Sequence, residues 1–226
     1  MNLTKANIKD LKKVTVKIVC SNGNEGSGTI VSVGENIYVL TAAHVVENET
    51  HDSHFAKDKI AISFMRNSRT IKLSVDKVSY YNRKDDAAIL HVVNPGNMPT
   101  SGLDQVRLLT TNVSGPAELC GFHKNEDSPK HYTFENRGAE IWAIDNIQLR
   151  VQSLEPARNF EGVSGGGIFY QDTNKVLYMA AYMLEVGRYD GNNNEFVCKP
   201  SSNFISSGLL NSIVDERCYE FVPIRL

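Results

Sequence analysis

Apolar and β-branched residues recur along the chain in short runs, and the residues between the runs are rich in glycine, asparagine and serine. Runs of this kind favour strands of a pleated, half-buried sheet over long helices. The predicted strands cover residues 14–19, 29–33, 37–40, 59–64, 71–80, 87–93, 106–109, 117–120, 139–144, 147–152, 167–170 and 176–183.

Two short helices are expected beside these strands. Residues 4–11 form one, with Thr4 as its N-cap, and residues 203–214 form the other, where apolar residues recur at helical spacing. Gly208 weakens the prediction of the helix at residues 203–214, because glycine is a poor helix former.

Many short strands at even spacing favour closed antiparallel barrels, because a closed barrel leaves no free sheet edge. The turn-rich segment 94–102 divides the strands into two similar sets, which predicts a two-barrel body. The predicted organisation is an N-terminal extension (1–13), a first barrel (14–93), a linker (94–102), a second barrel with a terminal helix (103–214) and a tail (215–226).

The charge balance bears on the kind of partner. The 226 residues include 24 Lys and Arg against 26 Asp and Glu, a net charge of −2, so there is no electrostatic basis for nucleic-acid binding. The longest apolar run, 176–184, is far shorter than the roughly 20 residues that a membrane-spanning helix needs, so no membrane partner is expected.

The cysteines and the N-terminus predict a compartment. The four cysteines are far apart and have no C-x-x-C spacing, which favours reduced thiols over a disulfide framework. Residues 1–13 carry lysines but no apolar block, so a secretory signal is not expected. Together these features predict a cytoplasmic protein.

Three segments combine residues that nucleophilic catalysis requires. His44 follows an apolar strand, Asp86 precedes another, and Ser164 lies among glycines ahead of a third. A serine hydroxyl needs an imidazole to take its proton, and a carboxylate can hold that imidazole in the correct tautomer. Glycines beside the serine allow backbone N–H groups to bind a developing oxyanion.

These segments resemble the signatures of the trypsin/chymotrypsin-like serine proteases. Residues 41–44 (TAAH) and 162–166 (GVSGG) look like the histidine and serine motifs, 86–90 (DAAIL) resembles the aspartate segment, and 120–122 (CGF) resembles a Gly-aromatic step of the second barrel. The resemblance covers roughly 14–214 and includes bacterial and organellar members such as the high-temperature-requirement proteases. It implies an all-β, chymotrypsin-like fold of two antiparallel six-stranded β-barrels with a short C-terminal helix.

The resemblance also implies the roles of individual residues. His44 is the general base, Asp86 orients it, Ser164 is the nucleophile, and the amides of Gly162 and Ser164 form the oxyanion hole. Asp85 is the alternative acid, and Asp86 is preferred because it directly precedes the apolar strand. No metal or organic cofactor is implied. Val163 replaces the aspartate that zymogen activation requires in secreted trypsins, so activation of that type is not expected.

Substrate specificity has two interpretations under this resemblance. The family's pocket floor lies six residues before the serine, at Arg158, and a buried guanidinium there would select an acidic side chain. Alternatively, Arg158 lies on a solvated loop and the pocket is apolar, lined by Phe160, Ala181 and Met183.

The predicted function is a regulated intracellular serine endopeptidase acting on a protein or peptide substrate. The alternative is a catalytically silent or latent protease-like module of a larger stress or defence assembly, which leaves open an activating partner or a further domain.

The pair His51 and His54 could bind a metal, but a polar surface loop is the favoured interpretation. Residues 191–194 are expected to form a loop at the rim of the substrate cleft.

Overall fold

The computed structural model describes residues 2–66, 69–93, 103–110, 115–125, 128–143, 149–153, 162–189, 194–217 and 220–221. The chain begins with strand β1 (Asn2–Lys5) and helix α1 (Ile8–Val14). Leu11 and Val14 form the buried side of α1, and the Asn7 side chain accepts a hydrogen bond from the Lys9 N–H at the helix start. Among the described residues, no helix is long and apolar enough to span a membrane.

Six antiparallel strands form a closed barrel in the order β2-β3-β4-β7-β6-β5. They are β2 (Thr15–Cys20), β3 (Glu25–Val33), β4 (Asn36–Ala42), β5 (Ile60–Arg66), β6 (Arg69–Asn82) and β7 (Ala87–Val93). Short 3-10 helices at Ala43–Val45 and Lys57–Lys59 connect β4 to β5.

The remaining strands and β1 form a ten-stranded sheet in the order β15-β8-β13-β14-β11-β10-β9-β12-β1-β16. They are β8 (Val106–Leu109), β9 (Gly115–Asn125), β10 (Ser128–Ala143), β11 (Leu149–Ser153), β12 (Gly167–Gln171), β13 (Leu177–Tyr189), β14 (Asn194–Pro200), β15 (Val214–Asp215) and β16 (Glu220–Phe221). Strand β12 also pairs with β13. Three further 3-10 helices lie at Leu103–Gln105, Ser201–Ser207 and Asn211–Ile213.

The barrel packs against the sheet through one continuous apolar core. Four consecutive residues at the start of β7, residues 87–90, are fully buried, which requires cover on both faces of the strand. One face lies in the barrel, and the 3-10 helix Ser201–Ser207 contacts the strand from outside it. The same apolar cluster therefore joins barrel residues such as Leu40 to sheet residues such as Phe169 and Tyr182.

The β-rich fold with a closed six-stranded antiparallel barrel is confirmed, whereas the second set of strands forms the ten-stranded sheet. The predicted N-terminal extension contributes β1 to this sheet, and the predicted tail contributes β16 and Asp215, the second residue of β15. Predicted linker 94–102 lies outside the described residues, as do residues 191–193 of the predicted rim loop, and Asn194 begins β14.

Both helix predictions need correction. The N-terminal helix begins at Ile8 and not at Thr4, because Thr4 belongs to β1 and its hydroxyl donates to the Gln171 carbonyl. The predicted helix 203–214 is two 3-10 helices separated by Gly208, whose φ of 71° is left-handed. The hydroxyls of Ser206 and Ser207 donate to carbonyls three residues earlier, which competes with α-helical hydrogen bonding.

Candidate active site

The register of two barrel strands brings His44 and Asp86 together. Ala42, the last residue of β4, pairs with Ala87, the first residue of β7. Asp86 directly precedes Ala87, and His44 lies two residues after Ala42 in the 3-10 helix Ala43–Val45. Strand pairing therefore places the histidine and the acid side by side although 42 positions separate them.

Asp86 makes three hydrogen bonds to the residues of this 3-10 helix. His44 Nδ1 lies 2.8 Å from Asp86 Oδ2, and the His44 backbone N–H donates to Oδ1 at 2.9 Å. The Ala43 N–H donates to the Asp86 carbonyl at 3.0 Å. Because an ionised carboxylate only accepts hydrogen bonds, the neutral ring carries its proton on Nδ1 and leaves Nε2 as an acceptor.

Asp85 makes a different set of contacts and does not contact His44. Its carboxylate accepts from Asn82 Nδ2 at 2.7 Å, and its N–H donates to Asn82 Oδ1 at 3.1 Å. Of the two candidate acids, Asp86 is the one hydrogen-bonded to the imidazole.

Two side chains from outside the closed barrel, one on β13 and one in the 3-10 helix Ser201–Ser207, hydrogen-bond to the Asp85 carbonyl. It accepts from the Tyr182 hydroxyl at 2.8 Å and from Asn203 Nδ2 at 3.2 Å. Tyr182 is fully buried, and burial raises the pKa of its phenol well above the ordinary value, so the hydroxyl stays protonated as a donor. These bonds fix the peptide that enters Asp86, whose φ of 50° is unusual for a residue with a side chain.

The loop around Ser164 is tightly enclosed between the barrel and the sheet. Gly165 has a φ of 82°, and a Cβ atom there would lie 2.3 Å from both the Ser27 carbonyl oxygen and Thr41 Oγ1. A Cβ atom on Gly166 would lie 2.4 Å from the Cys120 carbonyl oxygen. Only glycine fits these two positions, so the glycines allow the serine loop to approach both halves of the molecule closely.

The loop places Ser164 against the chain that carries His44. The Gly165 Cβ position lies 3.0 Å from the backbone nitrogen of Ala42. The Gly26 Cβ position lies 2.5 Å from Val45 Cγ1 and 2.9 Å from the Ser164 carbonyl oxygen. Ala42, two residues before His44, therefore lies next to the serine loop, and Gly26 lies between Val45 and the Ser164 carbonyl.

The Ser164 hydroxyl points to a carbonyl of β13 and not to the imidazole. Ser164 Oγ donates to the Leu184 carbonyl at 2.8 Å, and among the described residues no hydrogen bond joins Ser164 to His44. The expected contact between hydroxyl and imidazole is thus absent from this conformation. The Ser164 side chain is half-buried and the His44 side chain is 41% exposed, so solvent reaches both groups.

Backbone N–H groups beside Ser164 have the environment that an oxyanion hole needs. Within the described residues, the N–H groups of Gly162 and Ser164 have no acceptor, although Gly162 is buried. The Val163 carbonyl accepts from the Gly166 N–H at 2.8 Å, and the Gly165 N–H donates to the Met183 carbonyl at 2.7 Å. The described part of the loop is therefore held by hydrogen bonds, while two of its N–H groups have no acceptor among the described residues.

Two of the four predicted specificity residues are described. Arg158 and Phe160 lie outside the described residues. Ala181 and Met183 lie on β13 with exposures of 0% and 1% and belong to the apolar cluster of the second sheet. Met183 is adjacent to the serine loop through its backbone, because its N–H and carbonyl bond to Gly166 and Gly165.

The two histidines of the predicted surface loop make separate contacts. His51 Nδ1 lies 3.0 Å from Glu47 Oε2, whereas His54 Nδ1 lies 2.8 Å from the Phe55 carbonyl oxygen. The other carboxylate oxygen of Glu47 accepts from Arg83 Nε at 2.9 Å. Each histidine thus has its own hydrogen-bond partner close by in the chain.

Sequence reasoning did not identify Ser27, Tyr182 or Asn203. Ser27 lies between Gly26 and Gly28, and glycines on both sides are a signal of close backbone approach. The direction of its hydroxyl depends on strand register, which a single sequence does not define. Tyr182 and Asn203 have no local signal, because their acceptor is 97 or more positions away along the chain.

Comparisons with known proteins were made for the whole chain. No protein-family model and no curated protein matches it. The function is therefore inferred from the geometry of the site.

Proposed function

We propose that this chain is a serine endopeptidase in which Ser164 is the nucleophile, His44 the general base and Asp86 the residue that orients the base. The observation that carries the proposal is the pair of hydrogen bonds from His44 to the two oxygens of Asp86, formed beside a glycine-enclosed serine. This pair fixes the ring so that Nε2 is free to take a proton.

The proposal requires Ser164 Oγ to leave the Leu184 carbonyl before it can donate to His44 Nε2. A serine hydroxyl changes direction by rotation about the Cα–Cβ bond. A neutral hydrogen bond contributes about 1 kcal/mol net, so substrate binding can supply the energy of this exchange. Catalytic hydrogen bonds are often loose before substrate binds and tighten in the complex.

The reaction then follows acyl-transfer chemistry. Ser164 Oγ attacks the scissile carbonyl carbon while His44 Nε2 accepts the hydroxyl proton, and the N–H groups of Gly162 and Ser164 bind the oxyanion. His44 next gives its proton to the leaving amine, which leaves an acyl-enzyme. Water attacks the acyl group with His44 again as base, and the free serine is regenerated.

The strand pairings support a second barrel under the same proposal. From β9 the antiparallel pairings run through β10, β11, β14, β13 and β12 and return to β9. The remaining strands attach outside this ring. His44 and Asp86 would then belong to one barrel and Ser164 to the other, and the substrate would bind between them. A cytoplasmic location and a protein or peptide substrate stay predictions from the sequence.

The Ser164–Leu184 hydrogen bond also favours the second candidate function, a latent protease-like module. In that case an activating partner or ligand is needed to release the hydroxyl. A fully silent module has less support, because His44 and Asp86 keep the hydrogen bonds that a working base requires.

Labelling with a fluorophosphonate probe tests the proposal, because such a probe reacts only with an activated serine. We expect labelling of the wild-type protein and none of Ser164→Ala or His44→Ala, with turnover of an activated ester reduced by about 10³- to 10⁶-fold in both variants. Circular dichroism confirms that the variants fold. Labelling of the wild type only after addition of a cell extract would favour the latent module, and equal labelling of wild type and Ser164→Ala would exclude Ser164 as the nucleophile.

A further inference from the structure

We propose that Ser27, a residue of the closed barrel, positions the Ser164 loop for oxyanion binding. The inference rests on the proposed function and adds a positioning residue to it. Ser27 lies on β3 and contacts neither His44 nor the Ser164 hydroxyl, so its effect on catalysis would pass through the backbone of the loop.

Ser27 uses its hydroxyl, N–H and carbonyl groups at this interface, and it is fully buried. Its hydroxyl donates to the Gly162 carbonyl at 2.8 Å and accepts from the Phe122 N–H at 2.8 Å. Its N–H donates to the Ser164 carbonyl at 2.7 Å, and its carbonyl accepts from Thr41 Oγ1 at 2.7 Å. One barrel residue therefore holds the carbonyl groups of both Gly162 and Ser164.

These two bonds restrict the peptide between them. Each peptide unit is planar, with its carbonyl and N–H pointing in opposite directions. Ser27 fixes the units that follow Gly162 and Ser164, and the unit between them carries the Ser164 N–H. The middle unit is also held at its own carbonyl, because the Val163 carbonyl accepts from the Gly166 N–H at 2.8 Å. With both flanking units bonded to Ser27, the Ser164 N–H keeps its direction.

Close packing makes the Ser27 hydroxyl difficult to replace. A Cβ atom on Gly121 would lie 2.9 Å from Ser27 Oγ and 2.7 Å from Val163 Cγ1. Without the hydroxyl, the buried Gly162 carbonyl would lose its donor, and a buried acceptor without a partner is costly. We expect the loop to relax and its N–H groups to lose their alignment.

The effect on the reaction should appear mainly in turnover. Removing one oxyanion donor outright costs about 10²- to 10³-fold in kcat, and misalignment of a donor that is still present costs less. For Ser27→Ala we expect kcat to fall by about 10- to 100-fold with KM changed by less than about threefold, because the oxyanion forms only after substrate has bound.

Ser201→Ala is the matched control. Ser201 is also fully buried, and its hydroxyl donates to two backbone carbonyls, those of Leu109 and Met179, at 2.8 Å each. Both variants therefore remove a buried serine hydroxyl, but only Ser27 contacts the Ser164 loop. We propose to measure kcat and KM for hydrolysis of p-nitrophenyl acetate, and amide hydrogen exchange of the peptide that covers residues 162–167.

The expected result is a lower kcat and faster exchange in Ser27→Ala, with both quantities near wild type in Ser201→Ala. Equal loss of kcat in the two variants, or unchanged exchange in Ser27→Ala, would overturn the inference. If Ser27→Ala does not fold, Ser27→Cys replaces it, because the thiol keeps similar volume but is a weak donor. A smaller change in the same direction is then expected, and no change would overturn the inference.

The failure of the proposed function has a different signature. A wild-type protein that neither hydrolyses the ester nor reacts with the fluorophosphonate probe would contradict the protease proposal. Hydrogen exchange would still decide the structural role of Ser27, because faster exchange in Ser27→Ala alone supports positioning of the loop and equal exchange in both variants rejects it.

Discussion

The two halves of the candidate site are held together in different ways. His44 and Asp86 come from one pair of adjacent strands in the closed barrel, and their hydrogen bonds are complete in the free protein. Ser164 lies on a loop between the barrel and the second sheet, and its hydroxyl bonds to Leu184. The acid–base pair thus depends on strand register within one barrel, whereas the nucleophile depends on packing between the two halves.

This difference predicts which changes affect which half. Changes at the His44–Asp86 contact should alter proton transfer and leave the serine loop in place. Changes within the serine loop should move that loop and leave the His44–Asp86 hydrogen bonds formed. Three substitutions separate these outcomes, each with a control at a residue of the same type.

The largest effect is expected from Asp86→Asn. The asparagine amide group would face His44 as a donor, so the ring would adopt the other tautomer and Nε2 could not accept the serine proton. We expect kcat for p-nitrophenyl acetate hydrolysis to fall by about 10⁴-fold with little change in the fold. The measurement is steady-state hydrolysis together with the ¹H NMR signal of His44 Nδ1–H, which should be lost or shifted.

Asp85→Asn is the control for this substitution. The Asp85 carboxylate bonds to Asn82 and not to His44, so a change of less than about threefold in kcat is expected. A 10⁴-fold loss in Asp85→Asn with normal activity in Asp86→Asn would reverse the assignment of the acid.

In the acid–base half, the two strands could be predicted from local signals, whereas the pairing of His44 with Asp86 was predicted from the family resemblance. The apolar runs at 37–40 and 87–93 predict strands, and both strands are found, the first with longer bounds and the second with the predicted ones. A histidine after one strand and an acid before its partner then meet through ordinary antiparallel pairing.

The interface half could be predicted only in part. The glycines around Ser164 indicate a close approach, but the sequence does not say which atoms approach, and the hydroxyl direction depends on Leu184, 20 residues away. Strand β14 was not predicted, because its apolar run is only three residues long (196–198) and the strand forms by pairing with β11 and β13. Tertiary contacts of this kind override local preference.

Gly165→Ala should have the second largest effect, and it acts on the serine half. The new Cβ would lie 2.3 Å from a backbone oxygen at a φ of 82°, so the loop has to move. A shift of about 1 Å in a reacting group can reduce turnover about 10²-fold, and overpacking costs about 1–3 kcal/mol of unfolding free energy. Ester hydrolysis and urea denaturation measure these two effects, and the His44 Nδ1–H signal should persist.

Gly208→Ala is the matched control, because Gly208 also has a left-handed φ, 71°, but no atom lies within 4 Å of its Cβ position. Backbone strain alone should cost about 1 kcal/mol and leave kcat unchanged. Equal loss of kcat in the two variants would show that general destabilisation, and not displacement of the serine loop, lowers activity.

The smallest effect is expected from Tyr182→Phe, which tests a contact through which the second sheet supports the acid–base half. The change removes the donor at 2.8 Å from the Asp85 carbonyl and leaves Asn203 Nδ2 at 3.2 Å. Loss of one such bond corresponds to about 1 kcal/mol, or about fivefold in kcat if all of it appears in the orientation of Asp86. Tyr178→Phe is the control, because Tyr178 is equally buried on the same strand and its hydroxyl donates to Asp172 Oδ2 at 3.1 Å, away from His44.

Both variants should lose similar stability in urea denaturation, but only Tyr182→Phe should lower kcat and shift the His44 Nδ1–H signal. If both lower kcat equally, the closed barrel orients its own acid–base pair, and the second sheet contributes only the serine loop.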